Sequence, residues 1–351
     1  MISATLSTLL VALPGSGTPV LLCPDSLRET VWAFDATTGA IVSENVVVDT
    51  QYLDQPIQVV ASPSGTMIVT DETAATVREF SARGVFIREL CGPAQGLTRT
   101  YGCCVKNGKI YVTEPFVTTL SEPGRIWRMN LDGSDFELFL QDPLMRNPRG
   151  ILPVPGGFMV ADSGEASIGG EDLEFVSDAG VVQSPPFFDS EGVSYFDFPQ
   201  QIAPAIGGGF WVAGFTAPSG LWLVSVNGTV DNYYPTFTSA RGVWPLGNGQ
   251  LLYTGGTRVQ MLNPNGGDEV EIVNNPGGAG NPPVSSFRFL TPFTLPPACP
   301  ADLDGDGLVD GADLGGLLSG WGAPGAADID GSGAVDGSDL GIMLSAWGPC
   351  S

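Results

Sequence analysis

Apolar and polar residues between positions 20 and 295 fall into a unit that recurs along the chain. Each copy runs an apolar strand after Pro or Arg-Gly, a Gly turn, a second strand ending in a small or acidic residue, and two more strands. The segments SGTMIVTDETAATVREFSARG, NGKIYVTEPFVTTLSEPGRIWRMNLDG, GGFMVADSGEASIGGEDLEFVSDAG, GGFWVAGFTAPSGLWLVSVNG and NGQLLYTGGTRVQMLNPNG align as strand, loop, strand, turn. First strands placed at Pro56, Thr100, Pro148, Pro199, Arg241 and Pro283 are spaced by 44, 48, 51, 42 and 42 residues. That period is one four-stranded propeller blade. The last start, PPVSSFRFLTPF, supplies a single strand. PVLLCPDSLRETVWAFDATTGAIVSENVVV near the N-terminus supplies the three it lacks. The two ends therefore complete one blade together, which removes exposed strand edges and sets the count at six. A two-sheet sandwich also uses many short strands, but it has no reason to repeat one unit at this period.

Beyond residue 299 the period changes. Leu314, Leu317, Leu318 and Trp321 fall at i, i+3, i+4 and i+7, and Leu340, Met343, Leu344 and Trp347 repeat the spacing. Each set predicts one apolar helical stripe, stopped by Gly322 and Gly348. A lone helix cannot bury its stripe, so the two copies are expected to pack as a pseudo-symmetric pair. Each is preceded by a twelve-residue acidic loop, DLDGDGLVDGAD from Asp302 and DIDGSGAVDGSD from Asp328, 26 residues apart. Oxygen donors at positions 1, 3, 5, 9 and 12, a carbonyl at 7 and Gly at 6 are the pattern of an EF-hand-type loop around one hard cation. The first loop offers Asp302, Asp304, Asp306, Asp310 and Asp313, the Leu308 carbonyl and Gly307. The second offers Asp328, Asp330, Ser332, Asp336 and Asp339, the Ala334 carbonyl and Gly333. Asp at position 12 is shorter than the usual Glu and needs the backbone nearer the ion. A cage of this many protein oxygens suits calcium rather than magnesium, so two calcium ions are expected. An acidic solvated linker, or an Asp-rich repeat without helices, would carry no such stripes.

Loop plus single helix, duplicated, resembles the dockerin type I module over residues 299–351, in its Gly- and Cys-flanked bacterial variant, opened by CPADLDGDG and closed by AWGPC. Dockerins plug enzymes into cohesin modules, reading the partner through loop positions 10 and 11. Here these are Gly311 with Ala312 and Gly337 with Ser338, a departure from ordinary cohesin recognition. The resemblance implies attachment to a cohesin-like or other surface or scaffold protein.

The fold class expected is thus an all-β six-bladed propeller over residues 20–295, joined to a small α-helical calcium module. Net charge is −24, and the tail from Cys299 holds nine Asp and no Lys, Arg or Glu. Such a surface repels nucleic acid and anionic headgroups. Cys299 and Cys350 bracket the module and are expected to form a disulfide. Cys91 can pair with Cys103 or Cys104, and Cys23 completes the six. Residues 1–17, with the apolar run ISATLSTLLVAL, are expected to be a signal peptide. Disulfides and low-affinity calcium loops both belong outside the cytosol, so the protein is expected to be secreted or at the cell surface. No other segment is long and apolar enough to span a bilayer.

The phrases VADSG, VTD, NPRGI and SARGV resemble NHL-type and related six-bladed propellers, including lactonases and lyases. That likeness specifies architecture more than activity. The chain has no His, which excludes Ser-His-Asp and Cys-His systems and leaves a carboxylate and metal mechanism. Two registers can reach the propeller mouth. Asp71, Glu114 and Asp162 end second strands, with loop acids Glu72, Glu122, Glu165, Glu171 and Asp172 beyond; Arg149, Gln200 and Arg241 start first strands and are expected to point at the axis. Solvation or hydrogen bonding to the next turn accounts for the acids, and ion pairs between blades for the arginines. Trp32, Trp127 and Trp222 read as core between blades. The expected function is a non-catalytic binding or scaffold propeller held by its calcium module. The alternative is a carbohydrate-active enzyme of the lactonase or lyase kind delivered to a polysaccharide-degrading assembly.

Overall fold

A computed structural model describes residues 17–47, 50–115, 122–164, 171–190, 196–276, 284–296 and 299–350. The expected signal peptide, apart from Gly17, lies outside these residues, as do Glu165 and Pro283.

Among the described residues six blade sheets follow one another along the chain, and a two-stranded pair, Leu308–Val309 with Gly348–Pro349, lies in the tail. Blade 1 is Pro56–Ala61, Met67–Asp71, Thr76–Phe80 and Phe86–Cys91; blade 2 is Cys103–Lys106, Lys109–Glu114, Arg125–Asn130 and Glu137–Leu140. Blade 3 has Pro148–Val154, Gly157–Ser163 and Glu171–Ser177, with isolated bridges from Leu173 to Phe188 and Val176 to Val182 where a fourth strand would run. Blade 4 is Pro199–Pro204, Phe210–Gly214, Gly220–Val224 and Val230–Pro235; blade 5 is Gly242–Pro245, Leu251–Gly255, Arg258–Leu262 and Glu269–Asn274. Blade 6 joins the two ends of the ring, Thr291–Leu295 pairing antiparallel with Thr18–Asp25 before Thr30–Asp35 and Ile41–Ser43. This closing strand starts later than the repeat spacing suggested. Residues 284–290 do not form a strand, and Phe287 makes only a single bridge to Asp25.

Alternation along each inner strand feeds two cores at once. Val20 and Leu22 pack with Val59, Met67 and Val69 of blade 1, whereas Leu21 and Cys23 pack with Leu246, Leu252 and Val259 of blade 5. Both faces of a blade are therefore interior, which is why second strands such as Met67–Asp71 and Leu251–Gly255 are buried throughout. Fourth strands such as Phe86–Cys91 are exposed over much of their length. Trp32 and Trp222 lie in these interfaces, and Trp127 packs beside one.

Glycines let the innermost strands close on one another. A Cβ on Gly102 would lie 2.1 Å from the Arg149 carbonyl oxygen, and one on Gly150 would lie 2.3 Å from that of Gln200. Threonines of the second strands tie the same backbone to the next blade. The Thr70 hydroxyl donates to the Tyr101 carbonyl at 2.6 Å, Thr113 to Arg149 at 2.7 Å and Thr254 to Arg288 at 2.6 Å.

The tail holds two nine-residue helices, α1 (Gly311–Ser319) and α2 (Gly337–Ser345). Asp310 and Asp336 cap them, each accepting from the backbone two residues on, with Asp313 and Asp339 bonding back. Both helices end earlier than the stripes suggested, at Ser319 and Ser345, so Trp321 and Trp347 lie past their ends. Leu317 and Met343 are buried in a shared core with Ala301, Val309 and Val335. Leu318, Trp321, Leu344 and Trp347 remain about half exposed, so each stripe is buried on one edge only. The reason is size: two short helices have too little surface to cover both edges of each stripe. Cys299 and Cys350 are joined, closing a separation of 51 residues. Cys23, Cys91, Cys103 and Cys104 are free and buried.

Candidate functional site at the propeller axis

The residue beside each closely packed inner-strand position faces the axis. Ile57, Tyr101, Arg149, Gln200, Arg241 and Arg288 supply one such position per blade. Ile57 and Tyr101 pack with Phe289 in one apolar cluster. The Tyr101 hydroxyl donates to Gln200 Oε1 at 2.8 Å across 99 residues of sequence. Arg149 is held between two rings, its guanidinium 4.4 Å from the Tyr101 centroid and 4.7 Å from that of Phe198. Arg241 lies 4.1 Å over Phe215. Arg288 donates from Nε to Ser26 Oγ at 2.8 Å.

These cations sense one another. Burial is the main cause that holds Arg241 down to about 10, with Arg288 and Arg149 adding to it and Tyr101 opposing. Burial raises the Tyr101 phenol, yet Arg149, Arg288 and Arg241 together bring it below its ordinary value. Among the described residues no ion pair joins these three arginines to a carboxylate. The nearby Glu72 carboxylate pairs with Arg99 at 3.7 Å. Among the described residues at this mouth, three buried donors have no hydrogen-bond partner: Arg149 Nε, Arg241 Nε and Gln200 Nε2.

The acidic register is placed elsewhere and differently engaged. Asp71 accepts from the amides of Asp54 at 2.7 Å and Gln55 at 3.0 Å. Glu114 accepts from the Thr98 amide at 2.8 Å and from Trp127 Nε1 at 2.7 Å. Asp162 accepts from the amides of Arg146 at 2.7 Å and Asn147 at 2.5 Å. Each carboxylate thus pins the loop entering its own blade. In blade 3 the Asp162, Asp172 and Glu174 side chains share one face, with Asp162 opposite Asp172. Burial first, and Asp172 in addition, pushes Asp162 up to about 7 against its two amide donors. Burial and then Asp162 and Asp172 push Glu174 to about 8.

A metal in the central channel, as a lactonase-like mechanism would need, does not fit these residues. The axis is lined by guanidinium groups, which repel a dication, and the acids are committed to separate loops. The tail loops gather carboxylates instead. Carboxylate oxygens of Asp302, Asp304 and Asp306 lie within 4.8 Å of one another, as do those of Asp328, Asp330 and Asp339. Gly307 and Gly333 have φ of +93° and +103°, which the turn at position 6 requires. Asp302 also touches the propeller, its Oδ2 lying 2.9 Å from Arg83 Nε of blade 1.

Sequence reasoning placed Arg149, Gln200 and Arg241 in one register, and the structure gathers them. It missed Arg288 and Tyr101. Tyr101 precedes a Gly at the start of a repeat, as Arg149 and Arg241 do, and that signal could have found it. Arg288 is hidden because the repeat spacing starts the last strand at Pro283, ahead of the observed Thr291–Leu295.

No family model matches the chain, and no curated protein is similar to it in sequence. Solved structures share its fold. A chain of a nidogen/laminin complex is 14% identical, with a TM-score of 0.58 over 78% of this chain and 98% of that one. A gluconolactonase from Xanthomonas campestris is 14% identical, with a TM-score of 0.53 over 70% and 86%. A streptogramin B lyase is 15% identical, with a TM-score of 0.51 over 80% and 89%. The chain is a six-bladed β-propeller with two short helices in its tail.

These matches correct the expectation that the chain is no enzyme, since the same ring occurs in a lactonase and a lyase. That expectation rested on a ring without a catalytic signature beside a tail with a strong attachment signature; the lack of His removes one kind of base and leaves charge stabilisation by arginine intact.

Proposed function

We propose that this protein is a carbohydrate-active propeller enzyme of the lactonase or lyase kind, working at the axial mouth. The observation that carries the reading is the set of unpartnered buried donors on Arg149, Gln200 and Arg241 around Tyr101. Lactone opening and elimination beside a carboxyl group both place negative charge on a carboxyl oxygen. Donors fixed in advance and shielded from water are what stabilise such charge. The aromatic faces under both guanidinium groups hold them in place without using their N–H edges.

The same proposal has the enzyme exported and held to a surface or scaffold partner by a dockerin-like tail. Bound calcium would cross-link each acidic loop to the start of its helix, through Asp302, Asp304, Asp306, Asp310, Asp313 and the Leu308 carbonyl in the first loop. Asp328, Asp330, Ser332, Asp336, Asp339 and the Ala334 carbonyl would do so in the second. Support comes from the clustered carboxylates, the helix caps, the disulfide clasp and the half-exposed Trp321 and Trp347 beside them.

The test is turnover by the purified protein on a panel of sugar lactones and uronate-containing oligosaccharides. Turnover on at least one class, lowered about 100-fold or more by Arg241→Ala, is expected. No turnover on either class overturns the enzyme reading.

A further inference from the structure

The axial mouth sets positive charge inside a strongly negative chain. Net charge is −24 with 14 Lys and Arg in all, yet three of these arginines come from blades 3, 5 and 6 to surround one phenol. Like charges so placed repel, and burial removes the water that would screen them. A buried donor without a partner adds a desolvation cost of its own. Three such donors, on Arg149, Arg241 and Gln200, are left at one place. Nothing in the packing requires arginine there: blade 1 fills the equivalent position with Ile57.

We propose that this mouth holds its ligand by a carboxylate group, as on a uronate sugar, seated on Arg149, Arg241 and the Gln200 amide. The inference rests on the mouth being the working end of the ring, and it names the substrate class. Guanidinium forks match the two oxygens of a carboxylate, and the Gln200 amide adds a donor that neither arginine supplies. The shape favours a flat group. Arg149 stacks against Tyr101 and Phe198 and Arg241 against Phe215, so the rings occupy the guanidinium faces and the buried Nε donors are left for a partner in the guanidinium plane. A planar carboxylate matches donors held in the guanidinium plane more closely than a tetrahedral sulfate or phosphate does. Tyr101 is a positioning residue in this arrangement, holding the Gln200 carbonyl so that its amide points away from the phenol.

The experiment is calorimetric titration of the full chain with galacturonate, galactose and sulfate. Galacturonate is expected to bind at least tenfold more tightly than either of the others. Arg149→Gln and Arg241→Gln should each weaken it about 10- to 100-fold. Arg241→Lys, which keeps the charge and loses the fork, should fall between. Gln200→Glu supplies a carboxylate from within, so it should raise the melting temperature and abolish galacturonate binding, a readout independent of whether the arginine variants fold. Equal binding of galactose, equal binding of sulfate, or no binding of galacturonate each overturns the proposal. Turnover of a neutral lactone without galacturonate binding removes this inference and leaves the enzyme reading; galacturonate binding without turnover does the reverse.

Discussion

The mouth of the ring and the acidic loops of the tail are both concentrations of one charge, but they are built in opposite ways. The tail collects its carboxylates from two twelve-residue stretches, and each loop closes on itself: Gly305 and Gly307 amides bond Asp302, and Ser332 and Gly333 amides bond Asp328. The mouth collects three arginines from positions 149, 241 and 288, brought together only when six blades close. Charge gathered locally must be tolerated by the unfolded chain as well. Charge gathered by the fold is opposed only by folding, so packing has to hold it. The difference predicts that the ring answers to packing changes and the tail to ions and its clasp.

The change expected to reach furthest breaks the ring's packing, since it costs binding at the mouth as well as stability. Gly150→Ala forces a Cβ to within 2.3 Å of the Gln200 carbonyl oxygen, so blades 3 and 4 must separate. Destabilisation of about 1–3 kcal/mol or more is expected, with loss of ligand binding at the mouth. The matching change in the tail, Gly337→Ala, meets nothing within 4 Å at the start of α2 and should be neutral or stabilising. Equal losses at the two glycines would remove the contrast.

Opening the clasp acts on the other region. Replacing Cys299 and Cys350 with Ser should lower the stability of the tail by roughly 4 kcal/mol in the chain-entropy view for this loop length, and leave the ring's melting unchanged. Calorimetry with and without calcium separates the two transitions. A shift in the ring's transition alone would contradict the assignment.

A pH series is expected to give a smaller effect. Glu174 is raised to about 8 and Asp162 to about 7, so the folded chain keeps protons there that the unfolded chain has lost. Stability from these groups is present below about pH 4 and is lost as pH rises toward 8. Glu174→Gln should flatten that decline, as measured by urea unfolding across the range. A decline as steep as in the parent protein would mean that other groups are responsible.

The smallest effect concerns the contact between the regions. Arg83 competes for the Asp302 oxygen that calcium would use, and the second loop has no such pairing among the described residues. Arg83→Ala should therefore tighten calcium at the first loop a fewfold and leave the second unchanged, as measured by titration. Identical changes at both loops would deny the competition.

How much the sequence disclosed follows the same division. Blade order, ring closure by both ends and the tail's two helices were legible because each rests on a local period or on its repetition. The closing strand was misplaced because residues 284–290 look apolar enough for a strand yet run as an irregular approach to the axis. The apolar stripes run past the helix ends at Ser319 and Ser345 because a helical spacing says nothing about where the last turn ends. At the site, Arg149, Gln200 and Arg241 were visible as a register, but their relation to Tyr101 and Arg288 was not. A hydrogen bond across 99 residues has no trace in spacing. The acids were the opposite case. Asp71, Glu114 and Asp162 share a register, and the structure gives their oxygens to neighbouring loop amides.

A crystal structure of the protein soaked with galacturonate addresses the central claim most directly. The account predicts the sugar at the axial mouth, its carboxylate within about 3 Å of Arg149 Nε, Arg241 Nε and Gln200 Nε2. A sugar bound with its carboxylate turned to solvent, or seated anywhere else on the ring, would contradict it.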